Sequence, residues 1–600
     1  MKRLTLTTLL CLLIALNARA DESTHLYWGD LHVHSNRSPD SFAFGNQRLT
    51  PDDAFRFAKG EAIKSNSGSI AQLKRPLDFL LVADHAEFVG LFPKLIARDP
   101  DFMKTKVGKR WSEMMDSPNG LAPVVSEWAQ LIAQPDYEQE LSPEFRTEVW
   151  RENIAFADSN NEPGKFTAFI GYEWTAMVNG NNLHRVVLFR DNADLAGQLP
   201  PFSSLDSQDP EDLWNALGRY ESVTGGRVMA IPHNGNVSNG MMFMTETLAG
   251  NPFDRAYAET RIRWEPLYEV TQVKGDGETH PFLSPDDEFA DFETWDADNI
   301  GRNTPKTNDM LAGEYARSAL REGLALQRSL GVNPYEFGLI GSTDSHTPLA
   351  TADDNNFYGK FLDSEKTPDR LSNQMGGSLW YNWKLAASGY LGVWAKENTR
   401  TGLFDALELK EVYATTGPRI PLRFFAGWQF SREDLSTLVA SGYDKGVPMG
   451  SRLDPLPGNA KPGFLISALK DPDGANLDRI QVVKGFLKAD GSTGEKVYDV
   501  AWDTSRQPGA DGKLPPVGNT VNLEDPSYSN TIGSPALSTF WQDPDFDASQ
   551  PAFYYVRVLE IPTPRWSAYD AAEFDTDAAE EIPMVTVERV YSSPIWYNPG

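Results

Sequence analysis

His32 and His34 stand two residues apart in Asp30-Leu31-His32-Val33-His34-Ser35. A period of two along a strand turns both imidazoles to one face, close enough to share a metal ion. Taken alone, such a pair is also what the polar face of an edge strand looks like. Other candidates stand at the ends of other short apolar runs. Asp84-His85 follows one, Glu173 closes another in Gly171-Tyr172-Glu173-Trp174, and Asp344-Ser345-His346 follows a third. His184 lies in Asn182-Leu183-His184-Arg185, and His233 in Ile231-Pro232-His233-Asn234. Singly, each reads equally well as a turn residue or a solvated side chain. Of the eight histidines only His25 and His280 fall outside the pattern, so chance placement explains the six poorly. Imidazoles mixed with carboxylates suit zinc, iron or manganese.

These side chains need elements to hold them. Residues 77–83, 166–172, 185–189, 227–231, 267–273 and 337–341 are compact apolar runs of strand length. Between several of them lie helical patterns, at 51–58 and 309–330. Strands alternating with helices predict an α/β layer or barrel, with reactive residues just after the strands. Two stretches, 91–160 and 239–264, read as insertions of a size that forms lids or walls of a site. Past about residue 420 helical periodicity fades and Pro, Gly and Asp become dense. Runs at 463–469, 479–486 and 553–561 predict an all-β, sandwich-like region over 421–600.

The start of the chain carries an address. Met1-Lys2-Arg3 is basic, residues 4–16 are almost wholly apolar, and Ala18-Arg19-Ala20 offers a signal-peptidase site. Residues 1–20 are therefore expected to be a cleaved signal peptide of an exported protein, periplasmic or secreted. Cys11 is the only cysteine, so the mature chain would hold neither a disulfide nor a thiolate metal site. Removing Lys2, Arg3 and Arg19 from 55 basic residues leaves 52 against 84 acidic ones, a net charge of −32. Such a surface repels nucleic acid and anionic membranes, and an anionic substrate too unless bound metal reverses the local sign. Past the leader, no apolar run is long enough to span a membrane.

The order of these motifs resembles the polymerase-and-histidinol-phosphatase (PHP) superfamily of metal-dependent phosphoesterases. The resemblance runs from His32 and His34 through Asp40 in Ser38-Pro39-Asp40, His85, Glu173, His184 and His233 to Asp344 and His346. It covers roughly residues 26–350, with the scaffold continuing to about 420. Tyr27-Trp28-Gly29-Asp30-Leu31-His32 and Tyr413-Ala414-Thr415-Thr416-Gly417-Pro418-Arg419 look like a large, mostly exported bacterial branch of it. The resemblance implies a distorted seven-stranded α/β barrel over 21–420 holding two or three divalent ions. His32, His34 and Asp344 would bind one, Glu173 would bridge to a second completed by His184 and His233, and Asp40, His85 and His346 would hold the third.

The activity so implied is hydrolysis of a small or medium phosphate ester by a metal-bridging hydroxide. The same centre would also serve an amide, lactone or sulfate ester, and a metal-stabilised binding protein is the reading outside enzymes. Arg185, Lys274 and His280 are expected to face substrate, and Arg37 is a weaker candidate. Asp84 is expected to orient a ligand imidazole through its second nitrogen, or else simply to cap a following helix.

Overall fold

The structure is a computed structural model that describes residues 24–132, 141–375, 380–455, 460–510 and 512–599. The expected leader, 1–20, lies outside the described residues, as do residues 133–140 of the expected insertion.

The apolar runs become strands close to where they are expected. They are β1 (His25–Val33), β2 (Phe79–Val82), β3 (Thr167–Trp174), β4 (Arg185–Phe189), β5 (Val228–Pro232), β6 (Leu267–Gln272) and β7 (Gly338–Gly341). All four residues of β2 are buried, as a strand covered on both faces requires. β1, β2 and β3 pair in parallel, β4 runs antiparallel between β3 and β5, and β6 pairs in parallel with β7. Two parallel single bridges connect the sets: His233 with Glu269 on β6, and Val33 with Ser345 just past β7. Every strand of this group except β4 therefore points the same way, and their C-terminal ends meet. Gly29 permits the β1–β2 contact, since a Cβ there would lie 2.3 Å from the Phe79 ring.

Helices cover the strands. The one at Pro51–Ala58 starts at a capping box, in which Thr50 and Asp53 satisfy each other's backbone N–H, with Pro51 at the first turn. The helix expected over 309–330 runs Ala316–Leu330; the residues before it take a short turn at Leu311–Gly313 and bury Glu314 and Tyr315. Helices Leu91–Ile96, Lys106–Met115 and Ala122–Ile132 of the first insertion gather around Phe92, Trp111 and Trp128, a small core of their own. Within the second, Met242, Phe243 and Phe253 pack into a core with Tyr268 and Phe337. Among the described residues no helix is long and apolar enough to cross a membrane.

The large sheet does not stop at residue 420. The first half of β1 pairs antiparallel with Tyr390–Ala395, and the sheet continues through Val412–Thr415 and Arg589–Ser592 to Ala552–Glu560 and Leu477–Leu487. A second sheet, Leu422–Gly427, Gly463–Leu469 and Ala536–Gln542, shares a buried cluster with it: Phe424 and Ile466 meet Val482 and Val556. The expectation of an all-β region past 420 needs one correction, because Leu438–Lys445 and Trp566–Phe574 are helices. The second is fixed from outside its own sequence: Asp570 is held by the buried Arg370 guanidinium, which also lies over the Trp566 ring.

Behind Trp566–Phe574 lies a cleft of about 670 Å³, counting its open mouth, whose lining includes Asp354, Glu560 and Glu588. Burial, with Glu293 nearby, pushes Glu588 up to about 7. Its folded value thus exceeds its unfolded one, so its favourable contribution is complete below pH 4.5 and is lost as pH rises through 7. Glu588→Gln is expected to be more stable than the parent by ~3 kcal/mol at pH 8, with the gain vanishing near pH 4. Urea unfolding across that pH range measures it. A gain that does not change with pH would contradict the cause given.

Candidate metal centre

The strand ends deliver their side chains to one point. His32 comes from β1 and His34 from the residue after it; His85 follows β2, Glu173 is on β3, His184 precedes β4, and His233 follows β5. Asp344 and His346 follow β7, and Asp40 sits in a short helix, Pro39–Ala43, after β1. Asp344 has φ of +54°, a left-handed conformation that Asp tolerates better than most residues. Its backbone N–H donates to the His32 carbonyl (2.8 Å) and that of His34 to the Ser345 carbonyl (2.8 Å), which ties the two ligand segments together.

The nine expected ligands all reach this centre. Glu173 lies at its middle: Oε1 is 2.7 Å from His184 Nδ1 and 2.9 Å from His233 Nε2. Its Oε2 is 3.0 Å from His85 Nδ1, 3.2 Å from His34 Nε2 and 3.5 Å from His32 Nε2. Asp344 Oδ1 is 3.5 and 3.4 Å from the same His32 and His34 nitrogens. Asp40 Oδ2 lies 2.7 Å from His346 Nε2 and 3.2 Å from His85 Nε2. Three groups of ligand atoms are mutually close enough for an ion: His32, His34 and Asp344; His32, Glu173 and His233; and His34, Asp40, His85 and His346. The first matches the expected set. The others differ from it, with His32 in the place expected of His184 and with His34 joining the third group.

The donor set fits cations better than it fits itself. His32 Nδ1 donates to Glu269 (3.0 Å), so in a neutral, ion-bound imidazole Nε2 would carry the lone pair. Ser38 gives its hydroxyl proton to Asp40 (2.9 Å) and so accepts from His34 Nδ1 (3.0 Å), leaving a lone pair on His34 Nε2 as well. Without a cation the two Nε2 atoms, 3.1 Å apart, share a proton: burial disfavours it, but Glu269 and Glu173 outweigh that and raise the His32 imidazole. Among the described residues, Glu173 Oε2, His184 Nε2 and His233 Nδ1 are buried with no hydrogen-bond partner, which is costly unless a ligand satisfies them. Burial pushes His34 and His233 down to about 4 and His184 to about 3, which keeps their imidazoles neutral. Burial raises the Glu173 carboxyl, but His85 and His184 outweigh it and hold it well below the usual range.

Lysines complete the centre. Lys274 and Lys360 both reach Asp344 Oδ2, the second at 2.9 Å, and Lys360 also donates to the Asp344 carbonyl at 3.2 Å. Burial, and then Lys360 beside it, push Lys274 well down; burial takes Lys360 to about 8.

Of the residues expected to face substrate, Lys274 alone lines the cleft that holds this centre. Arg185 is buried, donates to Glu265 (3.0 Å) and the Leu183 carbonyl (2.5 Å), and faces Trp174. His280 lies outside the cleft: its Nδ1 accepts the Phe282 N–H (3.0 Å) and its Nε2 is 3.3 Å from Asp296. Arg37 is taken up by Asn153, Glu152 and the Val149 carbonyl. Asp84 orients no imidazole; it accepts the Ser35 N–H (2.7 Å) and hydroxyl (2.8 Å) and so clamps the loop after His34. The imidazole-orienting carboxylate is Glu269, an acid inside the apolar run 267–273. A charged residue there was the available signal, because such residues are buried only when paired. Lys360 stands in no motif.

The structure is thus a mixed α/β protein with buried groups of histidines and carboxylates that could hold a metal ion. Residues 21–599 match the family described as a protein of unknown function (DUF3604), and the chain belongs to that family. No curated protein and no solved structure matches it.

Proposed function

We propose that this protein is an exported, metal-dependent hydrolase of the PHP kind that cleaves phosphate esters. The observation that carries the reading is the convergence of the His32 and His34 imidazoles, Glu173 and Asp344 in one buried spot, beside two lysines. The strand pairings support the barrel. β1 through β5 pair in order, and single bridges lead from β5 to β6 and from β7 back to β1, an order that suits a seven-stranded ring with the ligands at one end. The signal-like residues 1–20 support export.

Divalent ions held there would make a water acidic enough to attack at neutral pH and would neutralise charge on phosphoryl oxygens. The chain's own groups do the rest. Glu269 fixes the His32 tautomer so that Nε2 points at the centre. Lys274 and Lys360 would donate N–H groups to phosphoryl oxygens, in a site with little water to compete. Asp84 and Ser38 hold the loop that carries His34 and Asp40.

The test is metal analysis of the purified protein under metal-replete conditions, then a panel of model phosphate, carboxylate and sulfate esters. Two to three equivalents of metal and turnover of phosphate esters are expected. Turnover confined to the other esters would overturn the choice of phosphate, and fewer than two equivalents would contradict the clustered centre.

A further inference from the structure

The centre opens into a cleft of about 950 Å³, counting its mouth. Asp40, His85, Glu173, Asp344 and His346 lie in it together with Lys274 and Lys360. The remaining wall has a different chemistry: Phe44, Trp128, Ile132, Met177, Ile300 and Trp380 all face the same space. The polar side chains available above the centre are few and mostly engaged. Thr175 is 2.5 Å from His85, and Glu87 accepts the Thr175 and Ser204 N–H groups. Arg302 lies 5.9 Å over the Trp380 ring. Trp128 is buried, and its indole N–H has no partner among the described residues.

A polyhydroxylated phosphate, such as a sugar phosphate, would lose its water against this wall and find too few groups to replace it. An apolar or aromatic substituent would gain from the same burial. Charge makes the second half of the case. The cleft lining holds four carboxylates (Asp40, Glu87, Glu173 and Asp344) against three basic side chains (Lys274, Arg302 and Lys360). Without bound cations it does not attract an anion. Resting on the reading of the centre as a phosphoesterase, we infer that the substrate is an amphiphilic phosphate ester. Its phosphoryl group sits at the metal centre between Lys274 and Lys360, and its aromatic or aliphatic group lies against Trp128, Met177, Ile300 and Trp380. Helix Ala122–Ile132 of the first insertion thereby becomes a specificity wall.

Calorimetric titration of the full-length, metal-loaded protein with methylphosphonate and phenylphosphonate, neither of which has an ester bond to cleave, tests this apart from turnover. Phenylphosphonate is expected to bind ~10- to 100-fold more tightly. Met177→Ser and Trp380→Ala are each expected to remove most of that ratio while methylphosphonate affinity stays within about twofold, the two variants guarding against a folding defect in either. Chelation of the metals should abolish binding of both. Equal affinities for the two phosphonates, or a ratio unmoved in both variants, overturn the amphiphilic substrate and leave the phosphoesterase reading standing. Failure of both phosphonates to bind the metal-loaded protein overturns the two together.

Discussion

Glu173→Gln is expected to lower metal content by at least one equivalent and phosphoester turnover by ~10³-fold or more, with the fold intact. This carboxylate stands within 3.5 Å of nitrogens from five histidines, so every proposed ion neighbours it. The amide keeps size and shape but offers one oxygen and no charge. The contrast with Glu269→Gln is diagnostic. Glu269 touches His32 through Nδ1 only, and loss of an outer carboxylate of this kind typically costs ~10- to 100-fold. Elemental analysis, circular dichroism and turnover on the same preparations measure all three quantities. Equal losses in the two variants would mean that Glu173 has no special place in the centre.

The second large effect lies outside the metal centre. Glu278 is buried between two buried arginines: Oε1 accepts Arg317 Nε (3.0 Å) and Oε2 accepts Arg557 Nη1 (3.1 Å), with the Tyr555 hydroxyl also donating to Oε1. Asp287 meets the same two guanidinium groups at 2.8 and 2.7 Å. Arg557 belongs to the strand Ala552–Glu560 and Arg317 to the helix Ala316–Leu330, so this network joins the C-terminal strands to the first half of the chain. Glu278→Ala would leave Arg557 with Asp287, and Arg317 with Asp287 and Glu495, and removing one partner of a buried ion pair costs ~3–5 kcal/mol. Guanidinium unfolding should show that loss, while activity per folded molecule should hold. A cost below ~1 kcal/mol would show that water or Asp287 compensates fully.

Glu278 and His280 also show where sequence reasoning stopped. The segment after β6 looks like a reactive loop, with Lys274, Glu278 and His280 in a Gly-rich stretch. Lys274 does enter the cleft, yet Glu278 pairs with Arg317 and Arg557 and His280 meets Asp296. Spacing along one loop cannot tell these outcomes apart, because each side chain's partner lies elsewhere in the chain. Arg185 and Arg37 behaved in the same way: position beside a ligand implied substrate contact, and distant carboxylates, Glu265 and Glu152, claimed both.

What the sequence by itself determined is local. Apolar runs of strand length became strands, and the side chains placed at their ends, His32 and His34 through Asp344 and His346, arrived at one centre. Burial and periodicity act over a few residues and are therefore visible in a few residues. The tertiary structure alone decided which charges are spent on folding, that Glu269 orients His32, that Lys360 joins Lys274 at Asp344, and that Trp128 and Trp380 share one cleft. It also carried one sheet across the expected boundary at 420. Those outcomes depend on which of many competing partners a buried polar group or sheet edge finds when the chain closes. That competition is settled by long-range packing, which no local pattern encodes.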